Sequence, residues 1–339
     1  MRTAVKWMKS PDEILSASKC GDIFSQNTDS VVKTEYRQMA KAYHPDQCGL
    51  PNATEITMKL NQLYEQAMEM IAAGKWEMSN MLSFHSIDGK EYRTKFLKSE
   101  DFELGVMYVS DNSVTFMLDQ SHKKYFDNAV SQIKGLKYAD DKMRQEISRY
   151  MPNTRFAFDT DDGKHCLIIN KTPDVFLLSD VLDFYNGSIP DRHVAWIISR
   201  LCNLCCYFGY HGIVHHGLTV ENCFISPQYH TLMPFGGWWY ARPMGEKLLG
   251  VSKAVYDIMP IKAKSEKVAV YQTDLESMKL IGRKLLGSGN APQPLLDFLN
   301  SGSSPDPMKE FQKWGKTLDA AYGKRQFIEM PVSKTDIYK

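Results

Sequence analysis

The apolar pattern of this chain changes period once, and that change divides it. Up to about residue 75 every repeat is helical. Val32, Tyr36, Met39, Ala40 and Tyr43 fall at i, i+4, i+7, i+8 and i+11, one face of a helix whose start is marked by Thr28 or Asp29 as a cap. The turn formers Cys48-Gly49-Leu50-Pro51-Asn52 follow. Ile56, Leu60, Leu63, Tyr64, Ala67 and Ile71 then repeat the period, with Gly74 as its stop. Two amphipathic helices and one loop predict an antiparallel hairpin.

Residues 79–100 are polar, without sustained periodicity, and read as a linker. From Phe102 the runs are short and alternating or apolar: Glu103 to Val109, Ser113 to Leu118, Thr154 to Phe158 and His165 to Ile169, with a polar helix around Tyr138 to Tyr150. Helices dominate after Pro190. Strands followed by helices predict an α+β domain with a strand-rich half and a larger helical half. The expected division is 1–78, all-α; 79–100, linker; 101–332, α+β; and 333–339, tail.

Composition removes several functions. At 339 residues, 41 Lys plus Arg against 40 Asp plus Glu leave a net charge of +1, which gives no general grip on polyanions, so nucleic acid is not expected as a partner. The first 30 residues hold no apolar block of seven, and the seven cysteines cluster rather than forming a framework, which fits reduced thiols and the cytoplasm. Val194 to Val214 is long and apolar enough to raise a membrane span. Arg200 and Asn203 in its middle favour a helix buried in protein, and no membrane is expected.

The loop between the first two helices carries the sharpest motif. Tyr36-Arg37-Gln38-Met39-Ala40-Lys41-Ala42-Tyr43 runs into His44-Pro45-Asp46, and Leu60-Asn61-Gln62-Leu63-Tyr64-Glu65 stands in the return helix. Pro45 cannot continue a helix, so His44 and Asp46 are displayed at its exit. Lys33, Arg37 and Lys41 form a row at i, i+4 and i+8; like charges so spaced weaken a helix slightly and suit an acidic partner better. Over about residues 10–74 this resembles a J domain. The resemblance implies docking onto a DnaK-type heat-shock chaperone ATPase, with His44, Pro45 and Asp46 triggering hydrolysis and Lys33, Arg37 and Lys41 steering the contact.

A second set of motifs lies further on. His215-His216-Gly217-Leu218-Thr219-Val220-Glu221-Asn222 follows the long helix Asp191 to Tyr210, and Leu232-Met233-Pro234-Phe235-Gly236 follows a short strand. Thr273-Asp274-Leu275-Glu276-Ser277-Met278 opens a helix that runs to Leu285-Leu286-Gly287. Their frame is similar to that of a protein kinase over about residues 100–330, implying a two-lobed kinase-like domain. Phosphoryl transfer there rests on positioned charge. Gly217 stands at the loop aspartate, Pro234 at the metal-binding aspartate and Thr219 at the loop lysine, while Asn222 and the helix aspartate, Asp274, remain. No glycine-rich turn is present. Glu146 and Lys134 are the nearest candidates for the helix–strand ion pair, and Ala129-Val130-Ser131-Gln132 reads as the strand that lost its lysine.

These departures give the expectation of a pseudokinase, not an enzyme, with neither cofactor nor metal, serving as a scaffold for a protein client. A kinase or nucleotidyl transferase with a displaced acid, and a hairpin that sequesters the chaperone without stimulating it, are the alternatives. Cys202, Cys205, His211 and His215 invite a zinc reading, but their spacer is too short for a finger and the cysteines lie on the apolar helix.

Overall fold

In the computed structural model, residues 8–25, 28–73, 80–324 and 326–338 are described. The chain divides into two units, residues 1–83 with 93–95, and residues 84–92 with 96–339.

The first unit is built on five helices, α1 (Pro11–Ser16), α2 (Cys20–Ile23), α3 (Asp29–Ala42), α4 (Pro45–Cys48) and α5 (Ala53–Ala72). Thr28 is the N-cap of α3, and α3 and α5 are the two helices that periodicity foretold. α1, α2 and α3 all pack on α5. Val32 and Met39 meet Ile56, Leu60, Leu63 and Ala67, and the chain before α3 adds Ile14, Ile23 and Phe24 to the same core. Full burial of each large aliphatic here contributes about 2 kcal/mol. The helical hairpin is thus enlarged by two short helices, the first closed by a Ser10–Glu13 capping box. Gly74, read as the stop of α5, lies outside the described residues.

The linker expected over 79–100 is instead a pair of strands, β1 (Met81–His85) and most of β2 (Glu91–Phe102). Along β2 half-buried positions alternate with exposed ones. Tyr92 and Phe96 alternate with Arg93 and Lys95, a period of two whose apolar members are only half-covered. The boundary between the units runs through this hairpin.

In the second unit, β3 (Gly105–Ser110), β4 (Ser113–Leu118), β5 (Asn153–Asp159) and β6 (His165–Asn170) complete an antiparallel sheet of order β1-β2-β3-β4-β6-β5. The sheet is covered on both faces, and alternation sorts its side chains. Val114, Phe116, Leu118, Leu167 and Ile169 enter the main core, while Met117, Cys166 and Ile168 pack on the opposite face. Between β4 and β5 lie α6 (Lys123–Lys134) and α7 (Asp141–Ile147). Ala129 to Gln132, read as a degenerate strand, belongs to α6. Phe126, Ala129 and Ile133 are its buried stripe at i, i+3 and i+7.

The rest is mainly helical: β7 (Phe176–Leu177), α8 (Leu178–Phe184), α9 (Asp191–His211), β8 (Ile213–Val214), β9 (Cys223–Ser226), β10 (Thr231–Pro234), β11 (Arg242–Pro243), α10 (Lys253–Ile258), α11 (Ile261–Glu266), α12 (Tyr271–Leu286), α13 (Gln293–Asn300), α14 (Pro307–Tyr322) and α15 (Lys334–Ile337). α9 is the central helix, packed by α12 and α14, and among the described residues no helix is long and apolar enough to cross a membrane. Lys279 of α12 and Glu310 of α14 form a 2.8 Å ion pair with both side chains fully buried. The expected tail, 333–339, is no appendage: α15 packs on α8 and Tyr338 lies against Phe176.

Candidate functional site

Each unit presents a site. In the first, Pro45 opens α4 at a position where its missing N–H costs nothing. His44 is the N-cap, and its Nδ1 accepts from the Asp46 amide at 3.2 Å, which places the ring proton on Nε2. The Asp46 carboxylate is 3.7 Å from the same Nδ1; the two side chains are 50% and 86% exposed. A polar pair this open contributes little to the fold. Behind it the motif helices are tied: Tyr36 donates its hydroxyl to Asn61 Oδ1 at 2.8 Å and stacks on Tyr64 with centroids 4.0 Å apart, and Thr57 donates to the Tyr43 carbonyl at 3.1 Å.

The basic row is not uniform. Lys33 is paired with Asp29 at 2.8 Å, whereas Arg37 and Lys41 are exposed and meet no carboxylate among the described residues. Two of the three cations therefore stand free beside His44, Pro45 and Asp46.

In the second unit the loop after β8 is held from beneath. Asp274, buried at the start of α12, accepts the His215 amide at 2.7 Å and the His216 amide at 2.9 Å. Burial raises its carboxyl to about 7 against the pull of those two amides. His215 Nδ1 accepts from the Gly217 amide at 3.2 Å; its ring lies parallel to Phe208 and edge-on to Trp238. Burial lowers His215 to about 3 and His216 to about 4, so both rings are uncharged near neutrality. His216 also sits at φ +57°, a left-handed conformation rare for a non-glycine residue.

Asn222 joins this loop to the next. Its Nδ2 donates to the Gly217 carbonyl at 3.0 Å, and its own carbonyl accepts from the Gly236 amide at 3.1 Å. Pro234 closes β10 and its carbonyl accepts from Trp238 Nε1 at 2.6 Å; Phe235 is buried against Phe224. Gly217 and Gly237 touch backbone to backbone, and a Cβ on Gly217 would come within 2.5 Å of the Gly237 Cα. No carboxylate stands at 217, and none fits without moving that backbone. These residues offer a magnesium ion of the kinase type little: Pro234 and Gly217 have no side-chain oxygen, and Asn222, whose Nδ2 is held by the Gly217 carbonyl, has a single carboxamide oxygen to give.

The sequence reading missed the cleft beside this loop. A cavity of about 270 Å³ has Phe102, Met107 and Phe116 as its floor, with Glu100, Asp101, Glu103 and Glu221 on its walls. Lys284, also on the wall, is tied to Glu221. Burial raises Glu221, but the Lys284 ammonium and nearby donors hold it below its ordinary value. At the same edge Lys98 of β2 bonds Asp180 of α8 and lies 2.7 Å from Glu100. The wall is acidic but largely partnered: Glu100 by Lys98, Glu221 by Lys284, and Glu103 by the Tyr240 hydroxyl at 2.9 Å. The run Glu100-Asp101-Phe102-Glu103, divided between the expected linker and the strand expected after it, supplies three of these carboxylates. Glu146 is exposed on α7, and neither it nor Lys134 has an ion pair among the described residues. Cys202, Cys205, His211 and His215 do not converge: among the described residues no group of three such side chains is placed to hold a metal.

No protein-family model matches the chain, and no curated protein matches it. It is similar to a solved structure of vaccinia related kinase 3, at 15% sequence identity and a TM-score of 0.44, over 71% of this chain and 77% of that one. That neighbour is named as a kinase, which stands against the expectation that this chain is no enzyme.

Proposed function

We propose that this chain is a J-domain co-chaperone of the cytoplasm, in which residues 8–73 recruit and stimulate a DnaK-type heat-shock chaperone ATPase and a kinase-like second unit presents a protein partner. One observation carries the reading. His44, Pro45 and Asp46 lie open to solvent at the head of α4, with Arg37 and Lys41 free of carboxylates beside them. Beyond the His44 cap on the four-residue α4, folding gains little from this arrangement, since exposed pairs of this kind contribute little and like charges four apart oppose the helix. An acidic surface on a partner does have a use for it: complementary charge speeds encounter and sets register.

The test is steady-state ATP hydrolysis by a DnaK-type chaperone with the full chain added. Stimulation that disappears in His44→Gln supports the proposal. Absence of stimulation by the unaltered chain removes it, and stable binding without stimulation would assign the first unit to sequestering the chaperone.

A second reading has its own observation. Four carboxylates line a cleft with an apolar floor beside Asn222, so a phosphotransferase using a displaced acid is the alternative for the second unit. ATP that raises the melting temperature, with or without Mg²⁺, supports it, because a ligand bound to the folded state stabilises that state. A flat titration removes it.

A further inference from the structure

The outer face of α9 carries a feature that neither reading uses. Between it and α7 runs a groove of about 370 Å³ walled by Met143, Ile147, Tyr150, Leu204, Tyr207 and Tyr210. Met143 and Ile147, at i and i+4, ride on the main core together with Tyr150. Tyr210 at the far end is 57% exposed. From Arg200 to Tyr210 the α9 wall runs about 15 Å at helical rise, room for a helix of about three turns.

Three arginines stand around this apolar floor, with Asp140, Asp141 and Glu146 on or beside α7 as well. Arg200 lines the groove, its Nε spent on the His230 carbonyl at 2.7 Å and its guanidinium turned toward Tyr150 at 6.0 Å. Arg149 lies over the same Tyr150 ring at 4.9 Å. Arg144 lies over Tyr138 at 5.0 Å, and Tyr138 in turn stacks on Tyr207. No carboxylate lines the groove, and none of the three arginines is paired with one among the described residues. Stacked guanidinium planes keep their forks available for bidentate contact with carboxylates.

We infer that this groove docks an acidic amphipathic helix of a protein partner, apolar anchors at i, i+3 or i+4, and i+7 entering between α7 and α9 while flanking Asp or Glu side chains meet Arg144, Arg149 and Arg200. The inference rests on the reading of the second unit as partner-binding and gives that partner a chemistry. It is independent of how the first unit behaves.

The test uses the full chain and a fluorescein-labelled peptide of about 14 residues, long enough for three turns, with Leu at the anchor positions and Glu or Asp elsewhere. The expected result is binding in the range of about 1–100 μM, at least about tenfold weaker for Tyr210→Ser, for Arg149→Glu and for a scrambled peptide of the same composition. Both substitutions are at exposed positions, and unchanged melting temperatures show that they fold. Amide protection on binding should fall on residues 141–150 and 200–211. Four results overturn the inference: no binding, equal binding of the scrambled peptide, indifference to both substitutions, or protection confined to other segments. Dodecanoate binding in place of the peptide would give the groove to a small apolar acid, and a concentration-dependent dimer lost in Tyr210→Ser would give it to a second copy; either contradicts the assignment. A chain that binds the peptide yet never stimulates a chaperone separates this inference from the co-chaperone reading.

Discussion

His44-Pro45-Asp46 and His215-His216-Gly217 are both short histidine-led motifs that come soon after a long helix, yet they are placed in opposite ways. The first is exposed, with one amide-to-imidazole bond inside it and two free cations beside it. The second is buried, every backbone amide of the three residues taken by Asp274 or by the His215 ring. In the second unit the motif's backbone polarity is consumed by folding; in the first the side-chain polarity is left open to solvent. The lesson is one of separable effects. Substitutions at the buried motif should move stability, and substitutions at the open one should move a partner while leaving stability alone.

The largest stability effect should come from the second unit's fully buried ion pair. Lys279→Ala strands the Glu310 carboxylate, at a cost of about 3–5 kcal/mol, to be read from urea unfolding; a change under about 1 kcal/mol would show that water reaches the pair. Asp274→Ala should come next, since it leaves the His215 and His216 amides unpaired in a buried loop, about 2–4 kcal/mol in all. If the variant unfolds like the unaltered chain, the loop is not held as described and the contrast with the open motif fails.

Acid should sharpen the same contrast. Burial holds His215 at about 3 and His216 at about 4, so between about pH 6.5 and pH 4 the unfolded chain takes up protons that the folded chain refuses. Stability therefore falls as pH falls through that window. Asp274, raised to about 7, opposes them, because its folded carboxyl keeps a proton that the unfolded one releases. Two rings against one carboxyl leave a net loss on the order of 1 kcal/mol from pH 7 to pH 5. It should appear in the unfolding midpoint of the second unit, and a midpoint that rises on acidification would contradict the burial of the histidines. The smallest stability effect, within about 0.5 kcal/mol, belongs to Lys41→Glu at the exposed row. That variant should nevertheless slow association with a chaperone, most strongly at low salt; equal association rates at low and high salt would remove the steering role of the row.

What the sequence disclosed followed burial contrast. α3, α5 and α9 bury one face or nearly all of their surface over three turns or more, so their period is plain. The strands β3 to β6 alternate between two covered faces and were legible as apolar runs. α1 and α2 have six and four residues, too few for a helical period, although Ile14 and Ile23 anchor them in the core. β1 and β2 were lost because Tyr92 and Phe96 are only half-buried and their neighbours are charged. In α6 the stripe Phe126, Ala129, Ile133 was present and was overlooked in favour of a missing strand lysine. The candidate residues of the two motifs could be named from spacing. The cleft carboxylates and the α7–α9 groove could not, since each joins segments far apart in the chain, Glu103 with Glu221 and Ile147 with Tyr207.

The most direct test measures two quantities on one variant, the unfolding midpoint of His44→Gln and its stimulation of a DnaK-type chaperone ATPase. An unchanged midpoint with stimulation abolished is the result expected of an exposed motif whose polarity is kept for a partner. Stimulation equal to that of the unaltered chain, or a loss of stability large enough to explain its absence, would contradict that account.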